Sequence, residues 1–203
     1  MTLDAALTET NKFWPTKEHF PFGQSDNTSH LERIKTEFSV SIHGMVLDYF
    51  KSFAPEKDFY FETVGNPICV YGIDNLKYKQ DGYSYDPVKR EFIEDWKSSF
   101  FIFADEGADP VIIDLAKIED GIQKLFHGTG SWDSGEIIAD SFGQFLLCSA
   151  AQHHVLTSFG GDPIIDDDNG FNLKENAAKW YFKNMKNWAG SYYEAWCSIF
   201  DNC

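Results

Sequence analysis

The sequence predicts an α+β fold, in which an antiparallel sheet of about four to six strands is packed with helices and extra helices follow at the C-terminal end. Three observations predict it. Apolar residues recur at helical spacing between Leu31 and Phe53, short apolar runs broken by turn residues take over from Phe59 to Phe126, and helical spacing returns beyond Trp132. These shifts divide the 203 residues into an irregular N-terminal arm over 1–28, an α+β domain over 29–157 and a helical extension over 158–203 packed on it.

Each element has its own signal. Residues 1–28 mix Trp14, Pro15, Phe20, Pro21, Phe22 and Gly23 with polar residues and show no sustained period, so an arm anchored by its aromatics is expected. Ser29 and Glu32 form a capping box ahead of Leu31, Ile34 and Phe38, which share one helix face. Val46, Tyr49, Phe50 and Phe53 mark a second helix, and Pro55 blocks its extension. Phe59–Phe61 and Pro67–Tyr71 read as strands bounded by Gly65-Asn66 and Gly72. Residues 74–97 are polar and irregular, which fits a long loop or weak strands.

Phe100–Ala104 and Val111–Ile113 are apolar runs joined by Asp105-Glu106-Gly107-Ala108-Asp109, as in two central antiparallel strands. Asp120-Gly121 gives a second hairpin signal before Ile122–Phe126. After the loop from His127 to Trp132, Asp133 with Glu136 predicts the capped start of a helix carrying Ile138, Phe142, Phe145 and Leu146 on one face. Asp166 to Gly170 predicts a solvated turn, with Asn172 and Glu175 opening a helix whose buried side is Tyr181, Met185 and Trp188. Gly190 provides a stop, and Ser191 with Glu194 caps a last helix bearing Trp196, Ile199 and Phe200.

Charge narrows the function. With 32 Asp plus Glu against 17 Lys plus Arg the chain carries −15, which repels phosphate backbones and anionic lipid, so neither nucleic acid nor a membrane surface is an expected partner. The same field favours encounter with a basic protein. Cys69, Cys148, Cys197 and Cys203 contain no CxxC pair, which leaves reduced structural thiols as the default. The first ten residues lack a basic segment followed by an apolar one, and no apolar run approaches the roughly 20 residues that cross a bilayer, so a cytoplasmic location is expected.

The stretch from Phe100 to Asp114 has an apolar strand, an acidic glycine turn and a second strand ending in Asp. It resembles the central hairpin of the SUKH superfamily, and Trp132 followed by Ile138–Leu146 is similar to that family's closing helix. The resemblance spans about residues 29–150 and keeps the order helices, hairpins, closing helix. It departs at Ser41-Ile42-His43, where a Leu-Pro pair commonly opens the second helix, and at Ala54-Pro55, which replaces an Asn-Gly turn. The resemblance implies an α+β domain that is often an immunity protein neutralising a toxin delivered between bacteria; other members are regulators or scaffolds, including fungal cell-wall regulators. It implies no catalytic set.

Independently of the family, the chain has no Lys or Arg from Leu125 through Leu173, while Asp133, Glu136, Asp140, Asp162, Asp166, Asp167 and Asp168 lie in that interval. If they share one face, they project an anionic field suited to a basic partner such as a nuclease; the alternative is a solvated acidic surface. Asp105, Glu106 and Asp109 form a second acidic group, read either as partner contacts or as turn chemistry around Gly107. A calcium loop at Asp166–Gly170 fails in register, because Gly170 falls at position five and Ala177 at position twelve.

His127 near Asp133, and the pair His153-His154, lack metal-site spacing, and Gly128-Thr129-Gly130-Ser131 completes no phosphate-binding motif. No GxSxG elbow is present. Trp180, Tyr181, Trp188, Tyr192, Tyr193 and Trp196 read as core, with one or two available to anchor a partner.

The expected function is therefore non-catalytic protein binding, without cofactor or metal: neutralisation of a cognate, basic protein toxin through an acidic surface that includes Asp105, Glu106, Asp109, Asp133, Glu136, Asp140, Asp162, Asp166, Asp167 and Asp168. A regulatory scaffold binding an endogenous partner is the alternative, and metal-assisted hydrolysis through the Asp162–Asp168 loop is third.

Overall fold

The computed structural model describes residues 1–15, 19–23, 26–38, 44–76, 78–168 and 170–203. Its centre is a six-stranded antiparallel sheet made of β1 (Phe59–Phe61), β2 (Ile68–Val70), β5 (Phe100–Glu106), β6 (Asp109–Asp114), β7 (Ile122–Leu125) and β8 (Gly135–Ala139), in that spatial order. Two-residue strands β3 (Tyr85–Asp86) and β4 (Glu91–Phe92) pair with each other within the polar segment after β2. The helices are α1 (Leu3–Thr10), α2 (Thr28–Phe38), α3 (Gly44–Ser52), α4 (Phe142–Thr157), α5 (Glu175–Trp188) and α6 (Tyr193–Cys197), and a separate hairpin joins β9 (Ile164–Asp167) to β10 (Gly170–Leu173). The architecture is α+β with C-terminal helices, as the periodicities predict.

Register fixes the faces of the sheet. Phe61, Ile68, Glu106 and Asp109 are cross-strand partners in one row, and Val111, Lys124 and Glu136 form the next row on the same side. That side faces α4, where Phe145 and Gln152 close a cleft against Glu106, Val111, Lys124 and Glu136. Tyr60, Cys69, Asp105 and Pro110 occupy the opposite face. A bulge between Ile102 and Ala104 interrupts the β5–β6 register and turns Phe103 toward Phe142 and Phe145.

The core explains why α4 sits centrally. Thirteen of its 16 residues are buried, so it has no solvent stripe and packs between the sheet, α1 and α5. Gln144 fastens this junction: its Oε1 accepts from Asp140 N at 2.7 Å while its Nε2 donates to Trp188 O at 2.8 Å. Gly143 is required where α1 enters, because a Cβ there would meet Thr2 O at 2.7 Å. Ser141 both caps α4 and donates to Met1 O at 2.8 Å.

Several local expectations are corrected. Part of the N-terminal arm is helical: Thr2 Oγ1 accepts from Ala5 N, and Ala6 and Thr10 bury the short face of α1 that periodicity alone does not resolve. The arm's aromatics do anchor it, with Trp14 stacked on His153 at 4.9 Å and Phe22 stacked on Phe61 at 5.7 Å. At α2 the Asp26 carboxylate accepts from Thr28 N and Oγ1, one residue ahead of the expected Ser29 start. The side chain of Phe38, and the whole of Ser41-Ile42-His43, lie outside the described residues.

Asp133 and Glu136 do not open a helix. Gly135–Ala139 pairs with β7 because a β-branched run beside an open strand edge satisfies its backbone there, and the helix begins at Ser141, whose Oγ accepts from Gln144 N. Asp120-Gly121 closes a 3₁₀ turn within a longer β6–β7 connection instead of a tight hairpin, although Ile113 and Ile122 still pair. The C-terminal extension is not wholly helical, since Asn172 lies in β10 and α5 starts at Glu175. Ser191 caps nothing: a 3₁₀ turn over Gly190–Tyr192 leads into α6 with no side-chain cap.

Candidate partner-binding site

Pairing decides what each acidic residue can do. Asp105 lies on the far face of the sheet, accepts from Tyr71 Oη at 2.5 Å, and has its carboxyl held above the ordinary range chiefly by burial. Asp109 accepts from both the backbone N and Nδ1 of His127, at 2.9 and 2.6 Å. His127 is thus oriented by Asp109 and not by Asp133, which pairs instead with Lys97 at 2.8 Å. Asp140 accepts from Tyr192 Oη at 2.5 Å, and this bond pushes the Tyr192 hydroxyl up to about 12.

Glu106 and Glu136 do come together. Lys124 lies between them, its Nζ 3.2 Å from Glu106 Oε2 and 3.9 Å from Glu136 Oε1. The three stand at one end of the cleft beneath α4 and α6. Lys124 was not among the sequence-derived residues; its signal is the alternation Ile122-Gln123-Lys124-Leu125, which puts Lys124 on the side opposite Gln123.

The remaining four acidic residues belong to one element. Asp162, Asp166, Asp167 and Asp168 are exposed on or beside the β9–β10 hairpin, with Asp166 opposite Phe171 and Asp167 opposite Gly170. Among the described residues no Lys or Arg lies within ion-pair distance of Asp166 or Asp168, while Asp162 Oδ1 accepts from Ile164 N at 3.0 Å. The C-terminal turn holds the hairpin from behind: Asp201 Oδ2 accepts from Phe171 N at 2.7 Å, Asn202 exchanges two bonds with Leu173, and Phe171 stacks on Phe200 at 5.9 Å. Lys174 Nζ donates to Asp162 O, which ties the two ends of the hairpin together. Asn169 lies outside the described residues.

The ten acidic residues therefore do not form one continuous face of free charge. Five have compensating partners on or near the sheet, Asp140 is fixed by Tyr192, and the hairpin group stands apart as a rigid display. His153 is a core group whose Nδ1 accepts from Glu62 N at 2.9 Å. The loop Gly128–Ser131 precedes a strand and not a helix, and Thr129 Oγ1 donates to Phe126 O and Ser131 O. All four cysteines are free, three of them buried. Among the described residues no helix is long and apolar enough to cross a membrane. No protein-family model matches the chain, and no curated protein matches it.

Proposed function

We propose that the chain is a non-catalytic protein-binding domain of the SUKH type, an immunity protein that acts in the cytoplasm by occluding a cognate, basic protein toxin. The observation that carries this reading is the β9–β10 hairpin: four exposed aspartates on a backbone pinned by Asp201 and Asn202, within an interval devoid of Lys and Arg. A preformed anionic element loses little conformational freedom on binding and steers a cationic partner toward itself. The order α2, α3, a meandering sheet and α4 agrees with what the resemblance implies. Expression of the chain should protect cells from the toxin encoded by the adjacent gene, and a variant carrying Asp166→Lys, Asp167→Lys and Asp168→Lys should protect less; undiminished protection by that variant rejects the hairpin as the contact.

A further inference from the structure

Gln152 is only 8 % exposed, lines the cleft between the sheet and α6, and its carboxamide has no hydrogen bond among the described residues. Gln144, about two turns earlier on the same helix, is bonded through both its oxygen and its nitrogen. The polar atoms of Gln152 are not fully enclosed and so open onto the cleft, where they remain available to a bound group. The cavity Gln152 lines measures about 350 Å³, within the range of sites that enclose small ligands.

Two further properties define what would fill it. The ionisable lining consists of Glu106, Lys124 and Glu136, each at least partly buried, so two carboxylates share one ammonium and a negative charge remains in excess. An anion would find Lys124 already engaged on both sides. The other walls include Ile68, Val111, Ile138 and Phe145, all buried, which favour an apolar stem over a hydrated ion.

We propose that this cleft binds an organic cation, a guanidinium carried on an aliphatic stem, with the cation beside Lys124 against the carboxylates of Glu136 and Glu106 and the Gln152 carboxamide oxygen accepting from it. Guanidinium suits the site because its several donors can reach two carboxylates and an amide at once, whereas a compact ammonium would duplicate Lys124. The inference uses none of the hairpin aspartates and goes beyond the toxin-binding reading.

The test is a titration of the full chain, followed by NMR, with hexylguanidine, with neutral hexylurea, and with a blocked Gly-Arg-Gly peptide. Hexylguanidine should move the Gln152 side-chain amide, Ile138 and the Trp196 indole at millimolar concentration, hexylurea should bind about tenfold more weakly, and Glu136→Gln should weaken hexylguanidine by a similar factor. Gln152→Leu removes the cleft-lining amide without emptying the core and should also weaken hexylguanidine while leaving the folded spectrum in place. Binding by the peptide as well assigns the cleft to an arginine of a protein partner; binding by hexylguanidine alone assigns it to a free small molecule; either supports the site. Equal affinity for hexylguanidine and hexylurea, or no shift at these residues, overturns it.

Discussion

Gln80 completes the sheet at Ile102 as a neighbouring strand would: its Nε2 donates to Ile102 O at 2.8 Å, and Ile102 N donates to its Oε1 at 3.1 Å. Strand β2 ends at Val70, opposite Ala104, so Ile102 has no β2 residue beside it. A single carboxamide replaces the missing backbone. Gln80→Ala leaves one buried N–H and one buried C=O without partners, and should lower stability by about 2–4 kcal/mol in urea unfolding.

Asp105 makes stability depend on pH in the direction opposite to an ordinary surface carboxylate. Burial raises its carboxyl above the usual 3.8, so its favourable contribution is complete below that value, where both states are protonated. It is lost as pH rises through the raised native value, because the native state must then hold a buried charge. Asp105→Asn keeps an acceptor for Tyr71 and should stabilise the protein at pH 7, the gain shrinking as pH is lowered toward 3.8. Chemical denaturation of both proteins across that interval checks it.

Two buried tyrosines should respond oppositely to loss of the hydroxyl. Tyr49 Oη is buried without a hydrogen-bond partner while its ring stacks on Phe142 at 4.1 Å. Tyr49→Phe should leave stability unchanged or raise it by about 1 kcal/mol. Tyr181 Oη donates to Trp196 O at 3.0 Å, so Tyr181→Phe strands that carbonyl and should cost about 1–2 kcal/mol. Thermal unfolding of the two variants side by side separates the cases.

Gly143→Ala places a methyl carbon against the backbone of Thr2 in a helix where alanine is intrinsically preferred by about 1 kcal/mol. The clash is with main chain and cannot be relieved by a rotamer change. A net loss of about 1–3 kcal/mol is expected, with hydrogen exchange quickening in α1 before it does in the sheet.

Reversing Asp166, Asp167 and Asp168 to Lys should slow association with a basic partner about tenfold or more at low salt, with the difference narrowing as ionic strength rises. Dissociation should change less. Stopped-flow binding to the adjacent-gene toxin over a salt series measures both; a rate insensitive to salt removes the steering role.

How far the sequence could be read depended on whether a signal was local. The strands flanking Gly107 were legible because an apolar run, a turn and a second apolar run describe a hairpin without reference to the rest of the chain. Helix α4 was found, but its start was placed too early, since Asp133 and Glu136 satisfy a capping pattern that only the neighbouring β7 overrides. Helix α1 leaves little trace in the sequence, because two buried residues in eight make almost no period. Acidic residues could be counted from the sequence, yet Lys97 pairs with Asp133 from 36 positions away, Lys124 pairs with Glu106 from 18, and no spacing rule encodes such meetings.

Helix α4, covered on every side, imposes an order on synthesis. The sheet and α4 leave the ribosome while α5 is still being made, so the helix's outer flank stays bare and sticky until the remainder of the chain arrives. Met1 waits as well, because the hydroxyl that holds its carbonyl belongs to Ser141, 140 positions downstream. The contacts that complete the core thus join segments far apart in the chain, the kind whose loop-closure cost slows folding.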